Sequence, residues 1–331
     1  MEGRQITEDT TLDADVEYAK GPAFIIAAHG VTLDLNGHRV TGGGSATSPG
    51  EGPGIVLQGV SRVTVRNGTV QHFGAGVVIK GGADNVIEQL TISDNLGEVD
   101  GDFGDGIVID GSDHNRVQAN TIERNGPYSG IAVIGRSQHN HIVENTVADN
   151  NMAHTGKPSD GRQAMGIRIE GPAADHNHVV GNTVSGSGAD GIVVLATCES
   201  ETGPPACAGS PPNQHNEIIG NTSSRNGASG RGDGIRLFAV ADPVAAAHTT
   251  ITGNQADGNA TNGIGVDAVG KNNPGPTENV LRDNQGHDNG GFDGFDGNVN
   301  PLCGTNIWEG NDFGTVNQPC VSAPGQAPPA G

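Results

Sequence analysis

The chain has 331 residues, and 38 aspartates and glutamates outnumber its 17 lysines and arginines, which gives a formal net charge of −21. A chain this acidic offers no basic stripe to neutralise phosphates, so its composition argues against nucleic acid as a partner and against anionic membrane surfaces. Aromatic residues make up 3% and glycines number 55, which is poor material for a globular core but sufficient for thin stacked layers of Ile, Val and Leu.

The chain begins with a polar segment. Residues 1–23 are expected to form a lead-in or cap, in which ITEDTTLDADV is a candidate first strand. No signal peptide or transmembrane run is present, so either the sequence starts at the mature form of a secreted protein, which is the favoured expectation, or the protein stays inside the cell. Further on, Asn36-Gly37 predicts a tight turn between strands, and residues 42–53 are expected to be a loop.

From Gly54 to about Gly294 the sequence repeats. Eight phrases begin with Gly followed by Ile or Val: GIVLQ (54–58), GVVIK (76–80), GIVID (106–110), GIAVI (130–134), GIRIE (166–170), GIVVL (191–195), GIRLF (234–238) and GIGVD (263–267). A second phrase, such as HNRVQANTI or HNHIVENTV, follows most of them. The leading glycines lie 22 to 43 positions apart, and a unit of about 22–25 residues with inserted loops is typical of a solenoid.

The period inside each unit predicts short strands. Apolar residues alternate over short runs bounded by Gly, Asn and Asp, which favours strand and turn over helix. Each strand can pair only with the same strand one unit further on, so the sheets are expected to be parallel. The repeat resembles that of right-handed parallel β-helix proteins, the pectate-lyase-like superfamily, over about residues 24–320, with the Asn-Thr-[Ile/Val] phrase as its most specific feature.

That resemblance implies an all-β chain that forms a right-handed parallel β-helix of about ten coils, as a single elongated domain over 24–320. We expect a C-terminal cap from about residue 301, which contains Trp308, and a disordered tail over 321–331. The segment VTLDLNGH also resembles the entry coil of secreted β-helix proteins. The fold hosts many reactions, so the resemblance leaves the chemistry open.

The four cysteines fall into two local pairs, Cys198/Cys207 and Cys303/Cys320. Local pairing within loops predicts two disulfides and an oxidising, extracellular compartment. No Cys has the C-x-x-C spacing of a metal site.

Insertions on both sides of the Gly-Ile strands predict where function is built. Three precede a strand (95–105, 150–165 and 223–233), and two follow one (196–214 and 239–248). Stacked on a rigid scaffold, they would wall the outer face of this strand into a groove, and loops in such positions usually carry function.

Strand alternation predicts which side chains face that groove. In GIVID, Ile107 and Ile109 point inward, so Asp110 points outward. Neighbouring coils lie about 4.8 Å apart, which places Lys80 beside Asp110 and stacks Asp190 on Asp233. The resulting catalytic candidates are Lys80, Asp110, His154, Arg168, Glu170, Asp190, Asp233 and Arg236. The metal candidates are Asp100, Asp102 and Asp105, with Ca²⁺ as the ion. The predicted site is centred on the coils that start at Gly106, Gly166 and Gly191.

Two recurring polar positions are expected to be structural. Asn120, Asn145, Asn182 and Asn221 occupy one repeat position and are expected to form an inward ladder that binds the turn backbone. His114, His139, His176 and His215 share another position, and we expect a ladder there too, because a coil repeats whatever lies at its turn.

Three functions remain open on the sequence. In a lyase or C5-epimerase acting on a uronate polymer, Ca²⁺ or another cation neutralises the carboxylate while Lys, Arg or His removes the adjacent proton; this is the favoured expectation. In a glycoside hydrolase two carboxylates cleave the bond, and the close pair Asp190/Asp233 would suit retention. The third is a non-catalytic, carbohydrate-binding or structural β-helix. All three predict a secreted monomer whose partner is a polysaccharide or oligosaccharide.

Overall fold

The computed structural model describes residues 3–98, 101–151, 164–197, 211–240, 245–268, 275–298 and 301–321. Within these ranges the chain alternates between short strands and turns, and the one helical segment is the 3-10 helix Pro319–Val321. No helix in this part of the chain is long and apolar enough to cross a membrane. The all-β prediction is therefore confirmed.

The Gly-Ile phrases form one continuous parallel sheet, called here the Gly-Ile sheet. Its 11 strands, in spatial and chain order, are Arg4–Ile6, Phe24–Ile26, Pro53–Gln58, Ala75–Lys80, Ile107–Asp110, Ile131–Ile134, Ile167–Gly171, Ile192–Ala196, Ile235–Ala239, Ile264–Ala268 and Gly294–Asp296. One strand comes from each coil, so the stack matches the expected height of about ten coils. It begins at Arg4, because that strand already pairs with Phe24–Ile26.

The Asn-Thr phrases form the rest of the coil wall. Thr64–Gln71 and Val86–Ser93 cross it without a break, whereas in the other coils a turn divides the wall in two. The strands before that turn are Thr10–Thr11, Thr32–Asp34, Arg116–Gln118, His141–Val143, His178–Val180, Glu217–Ile219, Thr250–Thr252, Val280–Arg282 and Ile307–Glu309. The strands after it are Val16–Glu17, Arg39–Thr41, Thr121–Glu123, Thr146–Ala148, Thr183–Ser185 and Thr222–Ser224. Two further parallel pairs are Asn213–Gln214 with Ala246–Ala247, and Gln285–Gly286 with Asp312–Phe313.

The register places equivalent residues of successive coils directly on one another. Ile107 pairs with Val77 on one side and with Ile131 on the other, and all three are fully buried. The predicted inward position of Ile107 and Ile109 is confirmed, since both are 0% exposed. The core is thus a column of β-branched layers inside the coil, and the outward rows of the Gly-Ile sheet remain free to build a surface.

The predicted asparagine ladder is also confirmed. The Oδ1 atom of Asn145 accepts hydrogen bonds from both the backbone N and the Nδ2 of Asn120, each at 3.0 Å, while its own Nδ2 donates to the Val117 carbonyl at 2.9 Å. The same hydrogen-bonding pattern continues toward the C-terminal coils through Asn182 and Asn221. These ladders fix the turns, because each one satisfies buried backbone groups that no strand reaches.

At the C-terminal end, Trp308 is buried and donates its Nε1–H to Asp296 at 2.9 Å. Cys303 and Cys320 form the predicted disulfide, which ties this segment down. Val321, the first residue of the expected tail, is fully buried; residues 322–331 and the pair Cys198/Cys207 lie outside the described residues.

Candidate active site

A groove of about 900 Å³ lies on the outer face of the Gly-Ile sheet, over the strands that begin at Ile192, Ile235 and Ile264. Residues of the preceding loop, including Ser229 and Arg231, form one wall. The expected groove on this face is therefore present, but its centre lies nearer the C terminus than the coils starting at Gly106 and Gly166.

Along the edge of the groove, a polar residue lies one position before each leading glycine, namely Asp190, Asp233 and Asn262. Asp190 and Asp233 occupy this position on adjacent coils, as predicted, and both line the groove while being about 95% buried. The Oδ1 atom of Asp190 accepts the backbone N–H of Asp233 at 2.7 Å, and Oδ1 of Asp233 accepts that of Asn262 at 2.9 Å. One oxygen of each carboxylate is thus structural, and the other is turned to the guanidinium of Arg236.

Arg236 stands at the centre of the groove. Its guanidinium lies 3.6 Å from Oδ2 of Asp190, 3.9 Å from Oδ2 of Asp233 and 3.0 Å from Oδ2 of Asp267. Its Cζ atom also lies 3.8 Å from the centroid of the Phe238 ring, in a cation–π contact. Three carboxylates and one aromatic face therefore hold a single cation, while its buried Nε makes no hydrogen bond.

Burial controls the proton affinity of the acid pair. Removal from water raises the pKa of Asp190, with Arg236 opposing the change. Burial, followed by repulsion from Asp190, raises the pKa of Asp233 to about 7. Two close carboxylates cannot both ionise readily, so near neutral pH the pair retains about one proton. Such a pair supplies both a proton donor and a carboxylate.

The floor of the groove is apolar. Val193 and Leu195, with Met165 and Ala189, form a small hydrophobic cluster on the outside of the coil, separate from the interior core, and Phe238 packs against it. At the far wall the rings of Phe292 and Phe295 lie 6.1 Å apart, and Phe292 is 39% exposed. Apolar surface beside buried charges is the usual composition of a ligand site.

A second ion cluster lies beside the groove. Arg168 crosses the coil of Ala132, which is too small to block it, so that Nη2 reaches within 3.5 Å of Oδ1 of Asp105. Its Nη1 donates to Oε2 of Glu170 at 2.6 Å, and Glu170 lines the groove. The side chain of Arg168 is 8% exposed. The predicted outward row is correct, but Arg168 holds other side chains and does not face the groove itself.

The remaining candidates lie elsewhere. Lys80 and Asp110 are adjacent, as predicted, with Nζ and Oδ2 3.5 Å apart, but they form an exposed pair outside the groove. His154 and Asp100 lie outside the described residues. Asp102 is exposed, and Oδ1 of Asp105 accepts the Ser129 N–H at 2.7 Å.

In the ranges that the structure describes, no group of three or more His, Cys, Asp or Glu side chains is arranged to hold a metal ion. The described members of the expected Ca²⁺ site therefore do not form one by themselves. That site stays a prediction that depends on Asp100.

Some lining residues were not among the sequence candidates. Asp267 and Phe238 lie on the same outward row of the Gly-Ile sheet, and Asp267 belongs to the coil after that of Arg236. Counting equivalent positions along that row could therefore have selected Asp267 as a candidate. Asp293 resembles Asp233 because it also precedes a glycine, yet the register places it level with Gly263, one position further on. No sequence signal marked Phe292 and Phe295 as a wall.

Comparison with known families adds to this geometry. A family model described as a right handed beta helix region matches residues 28–203, more than half of the chain. The search of curated proteins gave no match.

Several solved structures share the fold. The Dettilon tailspike protein aligns with a TM-score of 0.58 at 13% identity, over 93% of this chain and 51% of the tailspike. The endo-xylogalacturonan hydrolase from Aspergillus tubingensis gives 0.56 at 10% identity, over 94% and 82%. The catalytic unit of an alpha-1,3-glucanase from Streptomyces thermodiastaticus strain HF3-3 gives 0.50 at 16% identity, over 96% and 63%. The chain thus spans about half the length of the tailspike, and at these identities the likeness shows the fold alone.

Proposed function

The chain belongs to the right-handed β-helix family, and from that premise we propose that it is a secreted glycoside hydrolase whose catalytic carboxylates are Asp190 and Asp233. One observation carries the proposal: two buried carboxylates stack on adjacent coils in an open groove, each with one oxygen bonded to the backbone and the other directed toward Arg236. Glycoside hydrolysis uses such a pair, one protonated and one ionised.

The two carboxylates receive different roles from their surroundings. Asp233 has a pKa of about 7, so a large fraction of it is still protonated near neutral pH, and it donates this proton to the departing glycosidic oxygen. Asp190 is the ionised partner, because Arg236 lies nearer to it than to Asp233, at 3.6 Å against 3.9 Å, and because repulsion from Asp190 raises the pKa of Asp233. It acts as nucleophile or base, and the spacing of adjacent strands, about 4.8 Å, favours retention.

The groove suits sugar rings, which present apolar faces and polar edges. The apolar floor around Leu195 and Phe238 and the rings of Phe292 and Phe295 can pack against ring faces. Sugar hydroxyl groups can find hydrogen-bond partners in polar side chains that line the groove, such as Ser229 and Asp267. Two fold neighbours are by name a hydrolase of xylogalacturonan and a glucanase, which supports a polysaccharide substrate as a class.

The lyase or C5-epimerase remains the competing hypothesis. It needs a free base and a cation for the uronate carboxylate. Arg236 is held by three carboxylates and Arg168 by two, which leaves Arg231 as the groove-lining cation without an ion pair in the described part of the chain. Arg231, which is unpaired among the described residues of the groove, favours this second function. A lyase or epimerase of this kind would also be expected to require Ca²⁺.

The experiment is a screen of neutral and uronate polysaccharides, with and without Ca²⁺ or a chelator. New reducing ends without ultraviolet absorbance indicate hydrolysis, whereas an absorbing unsaturated product indicates a lyase. The double variant Asp190→Asn/Asp233→Asn should lose the activity, and Asp110→Asn, outside the groove, should keep it. An active double variant would refute the assignment, and binding without turnover would identify the non-catalytic alternative.

A further inference from the structure

Five histidines stack ring on ring along one turn of the coil. This imidazole ladder consists of His114, His139, His176, His215 and His248, with centroids 4.8 to 5.0 Å apart. Every rung has a left-handed backbone, with φ between 51° and 56°. The rings are exposed or half-buried, so protons reach them freely.

The backbone fixes the spacing of the rungs. The N–H of His139 donates to the Asp175 carbonyl at 3.2 Å, and that of His176 to the Gln214 carbonyl at 3.1 Å, in the next coil each time. The residue after most rungs is an asparagine of a buried ladder, such as Asn140. Charged rungs therefore cannot move apart without breaking bonds between coils.

Few carboxylates compensate a charged rung. At the ends of the row lie Asp84, before His114, and Glu278, whose Oε2 lies 3.1 Å from Nε2 of His248. Between them, the acids beside the ladder are Asp113 and Asp175, each with Oδ1 committed to a backbone N–H.

The neighbouring strands add more positive than negative groups. His141 and His178 stack on each other at 4.7 Å, and Arg116 lies on the same row. His178 is paired with Glu217 at 2.8 Å. The inner rungs thus face mainly other imidazoles.

We propose that the imidazole ladder is a proton-responsive seam: in mild acid it charges on alternate rungs, and once adjacent rungs charge it weakens the coils that it joins. In a row of five, the largest set of rungs that can charge without adjacent like charges is His114, His176 and His248. They lie two coils, about 10 Å, apart, which is about the screening length at 0.1 M salt. His139 and His215 must then charge last, each between two charged neighbours.

The local electrostatics agree with that order. Burial, followed by the neighbouring imidazoles, lowers the pKa of His139 and of His215 from the ordinary 6.5. The unfolded chain therefore binds these protons more readily than the folded one. The stability contributed by neutral rungs is present above pH 6.5 and is lost as the pH falls from that value through the lower folded pKa of these two histidines.

The ladder joins the coils that build the groove. His215 belongs to the coil between the strands that begin at Ile192 and Ile235, which carry Asp190 and Asp233 at their starts. Loosening of this turn in acid reaches the two strands whose spacing defines the carboxylate pair. The seam thus sets an acid limit for this part of the fold, whichever reaction the groove performs.

The test compares alternate rungs. Asparagine tolerates the left-handed backbone, and Asp84 already occupies that row with φ 58°. The variant His139→Asn/His215→Asn removes every adjacent imidazole pair, whereas His176→Asn leaves two pairs. His72→Asn is the matched control, since His72 has φ 63° but lies outside the ladder. Urea unfolding is measured from about pH 7.5 to about pH 5, with histidine ring resonances followed by NMR.

We expect wild type and His72→Asn to lose stability in parallel on acidification, His176→Asn to lose less, and His139→Asn/His215→Asn to lose least. The ring resonances of His139 and His215 should titrate below the ordinary 6.5, and at higher pH in His176→Asn. Equal acid loss in all four proteins would overturn the proposal. If the double variant fails to fold, titration of His139 and His215 at or above pH 6.5 in the wild type would overturn it as well.

Discussion

Two rows of side chains bridge successive coils, and they use their atoms differently. Asn145, inside the coil, bonds through both Oδ1 and Nδ2, so no polar atom remains free. Asp190 lies at the edge of the Gly-Ile sheet. Its Oδ1 accepts a backbone N–H of the next coil, and its Oδ2 faces Arg236 in the groove. A rung whose polar atoms are all used is structural, whereas a rung with an oxygen left over is available for chemistry.

Replacing the acids by their amides separates these two uses and should give the largest effect. Asp190→Asn and Asp233→Asn each keep the Oδ1 acceptor, so the fold is retained, but each loses a proton donor or a carboxylate. Loss of such a group typically lowers the rate by about 10²–10⁴-fold. The measurement is kcat on the polysaccharide identified by the screen, with Asp110→Asn as control. Wild-type rates in either amide variant would mean that the free oxygen has no catalytic role.

The reverse exchange, Asn145→Asp, tests the structural row. A carboxylate there would face the Val117 carbonyl and Oδ1 of Asn182, which now accept from Nδ2. An uncompensated buried charge costs about 3–5 kcal/mol, so the free energy of unfolding should fall by about that amount. Thr146→Ala, on an exposed outward position of the same turn, is the control and should change little. Denaturant unfolding at pH 7 measures both, and an unaffected Asn145→Asp would show that the ladder is not needed.

The pH dependence of stability should distinguish the two rows further. Because the pKa of Asp233 is raised from 3.8 to about 7, its stability contribution is present below pH 3.8 and is lost as the pH rises toward 7. The Asp233→Asn variant has no carboxyl group to titrate at this position, so it does not lose this stability as the pH rises. Its advantage over wild type should therefore grow by about 2–4 kcal/mol between pH 4 and 8, at about 1.4 kcal/mol per pKa unit. Thermal unfolding across this range measures the difference, and parallel curves would contradict the account.

The smallest effect is expected at Lys80. Its ion pair with Asp110 is exposed, with the Lys80 side chain 65% accessible, and such pairs contribute about 0–1 kcal/mol. Lys80→Ala should therefore keep both the melting temperature and the activity. Arg168→Ala is the contrasting variant, because it leaves Asp105 and Glu170 without their cation. Loss of activity without loss of stability in Lys80→Ala would move the site toward the coil of Gly106.

The repeat made most of the fold predictable. Parallel pairing, the inward position of Ile107 and the asparagine ladder follow from a spacing that returns in every coil, and so does the stacking of Asp190 on Asp233. The disulfide Cys303–Cys320 followed from its local spacing. These features depend on the backbone path alone, which the repeat determines.

The directions of long side chains were not predictable. Arg168 reaches two coils back to Asp105 because Ala132 lies between them, and Arg236 spans three acids because Phe238 supports it. Both arginine conformations depend on the space that side chains of neighbouring coils leave, and the sequence of a single repeat unit does not indicate that space. The shift of Asp293 to the level of Gly263 arose where the Gly-Ile phrase itself is missing.

Whether Asp233 acts as a protonated acid in the groove can be measured by the pH dependence of kcat/KM, since this quantity reports the free enzyme. We expect kcat/KM to fall as the pH rises through about 7, where Asp233 loses its proton. A profile that stays flat or rises through this range, with the chain still folded, would contradict it.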